Sequence, residues 1–476
     1  MYIPSKPTAF KKLLVVAAIS LTLAACSSDD DSSGTNANSA DGGMSDTGTT
    51  DTGTTDTGTT DTGTTDTGTT DTGTTDTGTT DTGTTDTGTT DTGTTDVGAA
   101  DAGSTELSLA FVATGSFPTG QIERINLNDG YSVDATYPAT TSDILAKTDN
   151  VSLYQLGRLN LDSLTKFSPT DTSVTGFQYS TNDTDGSGSN PSDVIFVNDT
   201  KAYILRYGSP IVWIVNPSAE SEAEFKTGEL DLSAYDPDTS DEDLSPNADS
   251  AVVVDGKLFI LMQRLSVFAP IEQGYVAVFD TTSDLEIDTM TDTENGLKGI
   301  PLNTLNPTDI RFNPVTEEIY VTGRGNIFVE FNSLPSDPFQ GGLIAIDQTT
   351  YATSKLLDDG DASSNMGMGF IQDTLVLNDT KGYVTLYQNS DPDTFAFINA
   401  VHEFNPSTGE VGEPLGAVVG KEIGPMTMGS DGNVWISNRG STPGLSIVDP
   451  SNDSVETAFA PTSFTPINVV FMTVPE

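Results

Sequence analysis

Seven short hairpin signals recur between residues 106 and 476, and no other feature of the chain restricts its fold so strongly. Each is an apolar residue, then Asp or Asn, then turn-forming residues: Ile125-Asn126, Leu161-Asp162, Val215-Asn216, Phe279-Asp280, Ile346-Asp347, Phe404-Asn405 and Val448-Asp449. Clusters such as Pro406-Ser407-Thr408-Gly409 and Pro450-Ser451-Asn452-Asp453 tolerate the backbone angles that reverse a strand, so each signal predicts an antiparallel hairpin. Ahead of most of them lies a second repeat, an Asp followed ten or eleven positions later by an aromatic residue. The pairs are Asp143 with Tyr154, Asp193 with Tyr203, Asp249 with Phe259, Asp309 with Tyr320 and Asp373 with Tyr383. The apolar run and turn between the two members read as an innermost strand A leading into strand B, and the hairpin signal then joins strand C to strand D.

A four-stranded unit repeated seven times predicts an all-β chain folded as a seven-bladed β-propeller. Six units are complete: 142–180, 191–233, 248–291, 306–358, 371–416 and 424–459. The remaining blade is split. Residues 107–113, 121–127 and 131–133 supply its strands B, C and D, and the apolar segment 466–472 supplies strand A from the far end of the chain. Such a C-terminal strand closing the first blade removes the exposed edges that a linear array would leave. One propeller therefore absorbs residues 106–476.

The first 25 residues read as an address. Lys6, Lys11 and Lys12 precede an apolar run, 13–25, that is too short to span a bilayer and has the charge order of a signal peptide. The run ends in Leu23-Ala24-Ala25-Cys26, which resembles the lipobox of bacterial lipoproteins and contains the only cysteine of the chain. The resemblance implies a mature protein that begins at acylated, palmitate-bearing Cys26 and is held by lipid rather than by a transmembrane helix. Ser27 in place of Asp favours sorting to the outer membrane, and Ser28-Asp29-Asp30-Asp31 resemble the acidic signals that send some lipoproteins to the cell surface. The expected location is the outer membrane, surface-exposed, with its periplasmic face as the alternative.

Residues 26–105 form a separate low-complexity stretch, in which 46–95 are ten copies of Asp-Thr-Gly-Thr-Thr. With no apolar side chains to bury, it is expected to be a disordered stalk, extended by the mutual repulsion of its Asp residues. Its 79 residues after Cys26 would span roughly 50 Å as a random coil, enough to hold a domain clear of a membrane.

The propeller segment resembles the YVTN-type propeller lipoproteins of bacteria. Glu318-Ile319-Tyr320-Val321-Thr322-Gly323, Gly432-Asn433-Val434-Trp435-Ile436-Ser437-Asn438 and the turns Ile346-Asp347 and Val448-Asp449-Pro450 carry the likeness. Tyr154-Gln155-Leu156-Gly157 in blade 2 and Val384-Thr385-Leu386-Tyr387 in blade 6 depart from it. That family includes scaffolds, ligand binders and some enzymes, so the resemblance implies a shape rather than an activity.

Composition removes several chemistries. A net charge of −50, from 69 acidic and 19 basic residues, argues against nucleic acid as a partner. One cysteine and one histidine, Cys26 and His402, leave no intrachain disulfide and no Cys/His zinc cluster. A Ser-His-Asp triad would need His402, which stands in the strand-like run 397–404, where an ordinary structural hydrogen bond is expected.

Five of the seven arginines, Arg158, Arg206, Arg264, Arg324 and Arg439, fall at the end of a strand B, on the face where the strand-A Asp residues begin. Two outcomes are open. The arginines could form a cationic ligand-binding ring for an anionic solute or an acidic partner, or each could pair with the Asp of its own blade. Arg439 is set apart because blade 7 has Gly424-Pro425 at the Asp position.

Three metal readings also follow. Met366-Gly367-Met368 and Met426-Thr427-Met428, at the starts of neighbouring blades, could offer thioethers to Cu(I) but also suit irregular apolar packing. Asp183 and Asp185 lie in a loop with part of the spacing of a calcium site, without its acidic first position or its bidentate Glu. A calcium-dependent propeller hydrolase of lactonase type needs no histidine, but it would need a Glu opening a strand A, where this chain has Asp, Gly-Pro or Ile-Asn. The expectation is a non-enzymatic binding or scaffold module with no cofactor, acting on an outer-membrane protein or a solute.

Overall fold

Where a strand is buried on both sides its sequence is apolar throughout, and where it reaches the rim polar residues enter, and this gradient sorts every blade from inside to outside. In the computed structural model the described residues are 106–475 without 185, 238–244, 267–268, 271, 326–339, 361–369, 391–396, 417, 419–421 and 441, together with two short strands, Thr65–Asp66 and Thr85–Asp86, that pair in parallel. The leader, Cys26, nearly all of the expected stalk, Asp185, Met366 and Met368 lie outside the described residues.

Residues 108–472 belong to one unit, a seven-bladed β-propeller of four-stranded sheets. In chain order from strand A to strand D, blade 2 is Ile144–Thr148, Leu153–Gly157, Ser163–Phe167 and Thr175–Ser180. Blade 3 is Pro191–Asn198, Lys201–Arg206, Ile211–Val215 and Lys226–Asp231. Blade 4 is Ala248–Val254, Lys257–Met262, Tyr275–Asp280 and Ile300–Pro301, with a small hairpin, Leu265–Ser266 and Ala269–Pro270, inserted between B and C. Blade 5 is Pro307–Asn313, Glu318–Arg324, Gly341–Asp347 and Thr353–Leu357. Blade 6 is Phe370–Asn378, Lys381–Ser390, Phe397–Asn405 and Glu410–Pro414, and blade 7 is Ile423–Met428, Val434–Asn438, Gly444–Asp449 and Ser454–Pro461. Blade 1 joins the chain ends: Thr465–Pro475 pairs with Glu106–Ser116, followed by Thr119–Asn126 and Val133–Thr136.

The apolar side chains fill the spaces between blades rather than a single centre. One cluster joins blades 3 and 4 through Tyr203, Leu205, Ile260 and Phe279, and further clusters join 4 to 5, 5 to 6 and 6 to 7. Across the closure Val112 and Val469 of blade 1 pack on Trp435 and Ile447 of blade 7. The Tyr131 hydroxyl donates to Asp431 across the same junction, at 3.1 Å.

The seven hairpin signals hold with one correction. Six open a C–D turn, and the Asn or Asp carbonyl or carboxylate oxygen accepts the N–H two residues on, from Asn128, Ser218, Thr282, Thr349, Ser407 and Ser451. Leu161-Asp162 instead lies between strands B and C of blade 2, and residues 168–174 make the C–D turn. Asp162, with φ of +44°, uses its carboxylate to hold the start of blade 3 through the Asn190 N–H at 2.6 Å and the Ser189 hydroxyl at 3.2 Å. Two segments of equal turn chemistry follow one another there, and the tertiary contact decides between them.

A β-bulge interrupts strand A at its start in blades 3, 4, 5, 6 and 7. A bulge rotates the following side chain out of the alternation of the strand. In blades 3, 5 and 6 it immediately precedes Asp193, Asp309 and Asp373, and in blade 4 it contains Asp249.

Candidate functional site

The bulges present four carboxylates from four successive inner strands, and all are buried: Asp193, Asp249, Asp309 and Asp373 are 1%, 5%, 6% and 9% exposed. Two of them tie their blade to the next. Asp193 accepts the N–H of Ala251 in blade 4 at 3.2 Å, and Asp373 accepts the N–H of Met426 in blade 7 at 2.7 Å. In blade 1 the Asn468 amide makes the same bridge in both directions, to the N–H and carbonyl of Ala146 at 2.9 and 2.8 Å.

Cations from the same ring complete these contacts. Lys147 of blade 2 pairs with Asp193 at 2.7 Å. Arg311 of blade 5 lies 2.7 Å from Asp309 and 3.3 Å from Asp373, and donates to the Met426 carbonyl two blades on at 2.9 Å. Burial still dominates both anchoring carboxylates. It raises Asp193 above the usual carboxylate range against the pull of Lys147, and raises Asp373 against the pull of Arg311.

Asp249 breaks the pattern. One of its oxygens accepts from the Gln263 amide at 3.2 Å, and Gln263 in turn accepts from the Tyr207 hydroxyl at 2.7 Å. The other oxygen, Oδ2, makes no hydrogen bond of ordinary geometry among the described residues. Burial lifts this carboxyl well above its ordinary range. Arg158 of blade 2 opposes the shift, while the neighbouring hydroxyl of Ser250 lowers it and Asp309 and Asp193 add to it.

The arginines at the strand-B ends do not present the open cationic ring that was one of the two expectations. Arg158 faces Asp143 of its own blade at 3.7 Å, the arrangement expected of a structural pair. Arg206 bypasses Asp193, which Lys147 occupies, and pairs with Asp183 at 2.5 Å while its guanidinium lies 4.7 Å over Trp213. Arg264 donates to the carbonyls of Tyr235 and Gln273 at 2.8 and 3.0 Å and stacks on Tyr275, and burial lowers its pKa. Arg324 donates to the Gln372 side chain. Arg439 is half-buried against Gly424, where an added Cβ would come within 3.0 Å of its side chain.

The metal candidates are placed as follows. Asp183 is engaged by Arg206. Met426 is fully buried between blades 6 and 7, its sulfur accepting from the Thr385 hydroxyl at 3.6 Å, and Met428 packs on the same cluster. His402 is buried on strand C of blade 6 with Nδ1 2.9 Å from the Gly412 carbonyl. A surface cavity of about 450 Å³ is lined by Glu403, Glu410, Glu413 and Asp453, and Lys381 bridges two of these, Asp453 at 2.8 Å and Glu403 at 3.3 Å.

Sequence reasoning did not single out Lys147, Gln263 or Arg311. Arg311, between Ile310 and Phe312, and Lys147, after Ile144-Leu145-Ala146, carried a signal, a charge within an innermost strand; Gln263, just beyond strand B, carried none.

No protein-family model matches the chain, and no curated protein matches it. Among solved structures it is similar to a putative 6-phosphogluconolactonase from Bacteroides uniformis, 13% identical over 77% of this chain and 99% of that one, with a TM-score of 0.49. It is also similar to apo AztD from Citrobacter koseri, 9% identical over 77% and 98% with a TM-score of 0.46, and to a streptogramin B lyase, 11% identical over 69% and 89% with a TM-score of 0.42. At these identities the likeness concerns the fold.

Proposed function

We propose that this protein is a cell-envelope lipoprotein whose propeller acts as a non-enzymatic binding or scaffold module for a surface protein. The observation that carries the reading is the use of the buried ring charges for bridging blades, Lys147 of blade 2 to Asp193 of blade 3 and Arg311 of blade 5 to Asp373 of blade 6. Such pairs fix one arrangement of the blades and make a rigid platform. An anionic solute at the arginine face would have to displace Asp183 from Arg206 and Asp143 from Arg158, so a protein partner is favoured over solute capture.

The anchor is Cys26 in Leu23-Ala24-Ala25-Cys26, acylated and set in the outer membrane, with residues 27–105 as the stalk that lifts the propeller outward. Labelling with a palmitate analogue and fractionation of cells test this part: Cys26→Ala should lose both label and membrane attachment, and retained attachment overturns it. Cross-linking on intact cells followed by mass spectrometry tests the rest. One stoichiometric outer-membrane partner supports the scaffold reading, and none shifts the weight to solute binding.

The second reading is a calcium-dependent hydrolase of lactonase type, favoured by the gathering of Asp193, Asp249 and Asp309 around one side of the ring. Against it, no three acidic, histidine or cysteine side chains among the described residues are arranged to hold one metal ion. Lactone hydrolysis by the purified protein that stops on removal of calcium would establish it.

A further inference from the structure

We infer that Lys147 and Asp193 condense into an intramolecular amide, a covalent link between the innermost strands of blades 2 and 3. The first ground is enclosure. The Lys147 ammonium lies 2.7 Å from Oδ1 of Asp193, and the two side chains are 5% and 1% exposed. Lys201 with Asp284, at 20% and 28%, and Lys381 with Asp453, at 21% and 28%, meet as closely but within reach of solvent. Two reactive groups held in contact act at an effective concentration of about 10⁵–10⁸ M, which exceeds that of water and favours the amide.

The second ground is the hold on the carboxylate. Its Oδ1 accepts the N–H of Val194 at 2.7 Å, and its Oδ2 accepts that of Ala251 at 3.2 Å. Backbone donors on both oxygens keep the group still and face the charge that an oxygen gains when its carbon is attacked. Asp373 of blade 6 has the same two kinds of backbone bond, but its cation is Arg311, whose guanidinium stays charged and cannot serve as the nucleophile.

Proton supply is the third ground. Burial raises Asp193 above the usual carboxylate range, which brings the neutral acid and amine closer in energy to the ion pair. Burial also raises Asp249 of the same ring, and the charge of Asp193 adds to that shift, so a protonated carboxyl stands within electrostatic reach.

The step is a dehydration. The ammonium passes one proton to Oδ1, the free amine attacks Cγ, and the nitrogen–carbon bond forms while Oδ2 takes the negative charge opposite the Ala251 N–H. The bond from Cγ to Oδ1 then breaks as a second proton moves from the nitrogen to Oδ1, directly or through Asp249, and one water leaves. Ammonium and carboxylate become amide and water, with net charge unchanged and no co-reactant. The ion pair forms on folding and the amide accumulates from it, so denaturation of freshly folded protein reports the ion pair alone. The bond does not depend on which partner the propeller holds.

The test uses the full-length protein, incubated overnight in detergent at pH 7, then denatured, digested with trypsin and weighed by mass spectrometry. Trypsin does not cut after an acylated lysine. The amide therefore yields one branched peptide, residues 125–158 joined to 167–201, lighter by one water than its two linear parts, and fragmentation locates the bond. Unreacted protein yields a linear peptide that ends at Lys147.

The branched product is expected from wild type and should be absent from Lys147→Arg. Asp249→Asn should form it about 10²-fold more slowly, the lower end of what a positioned acid supplies, and a rate equal to wild type overturns the part given to Asp249. The inference is overturned if incubated wild type gives only the linear peptides, or if K147R loses a water from the same segments, which would put the dehydration elsewhere.

Discussion

Asp280, Asp347 and Asp449 open C–D turns, whereas Asp193, Asp249 and Asp373 stand on inner strands, and these identical side chains are perturbed in opposite directions. The turn carboxylates accept N–H groups of the following residues, from Ser283, Thr350 and Ser451 first, and are held below the usual range. The inner carboxylates are raised because burial outweighs the cations beside them. The same residue therefore closes a hairpin where solvent supports its charge and joins blades where it does not. Acid should weaken the turns as their carboxylates protonate, while rising pH should strain the interior.

The largest effect that separates the two regions is expected from Asp193→Ala, which removes the carboxylate that pairs with the buried Lys147 ammonium. Chemical denaturation should show a loss of about 3–5 kcal/mol. Replacing both partners, K147M with D193L, should recover most of it, because an apolar pair needs no solvation. A double variant as unstable as D193A would mean that the Asp193 bonds to Val194 and Ala251, rather than the ion pair, hold blade 3 to blade 4.

The interior response to pH has a second reporter. Asp359, fully buried after strand D of blade 5, has its pKa lifted by burial to about 7 in spite of the Gly341 N–H that it accepts. Its folded pKa lies above the unfolded value near 4. Its contribution to stability is therefore complete below about pH 4 and is lost as the pH rises toward 7. Unfolding midpoints measured from pH 4 to 8 should fall over this window, and Asp359→Asn should flatten the fall.

A smaller effect tests the outer contacts between blades. Lys201 and Tyr203 both reach Asp284 on the C–D turn of blade 4, at 2.7 and 2.5 Å, and Lys381 and Tyr383 reach Asp453 of blade 7 in the same way. Tyr383→Phe removes one hydrogen bond to a partly solvated carboxylate and should cost about 1 kcal/mol, with Tyr203→Phe alike. The smallest is the exposed Lys226–Glu229 pair, where Glu229→Ala should change stability by less than about 1 kcal/mol.

The architecture was legible because its information is local. Apolar runs, Asx turns and the Asp-to-aromatic spacing each act within a dozen residues, and strand pairing follows from them. The error at Leu161-Asp162 arose where two local signals of equal strength stood in sequence and only the contact of Asp162 with Ser189 and Asn190 distinguished them. At the candidate site the strand-A Asp residues and strand-B arginines were visible, but their partners were not. Own-blade pairing is realised for Arg158 and Asp143, whereas Arg206 turns to Asp183 because Lys147 already holds Asp193.

By itself the sequence determined that this chain would build four-stranded units, that there would be seven, and that its last strand would complete the first blade. Those outcomes depend on turn chemistry and apolar periodicity, which neighbouring residues carry. Tertiary structure alone decided which charges meet. Lys147 and Asp193, Arg311 and Asp373, and Asn468 and Ala146 are joined across blades by ring closure, and bulges aim the aspartates at those partners. No local pattern records such distances.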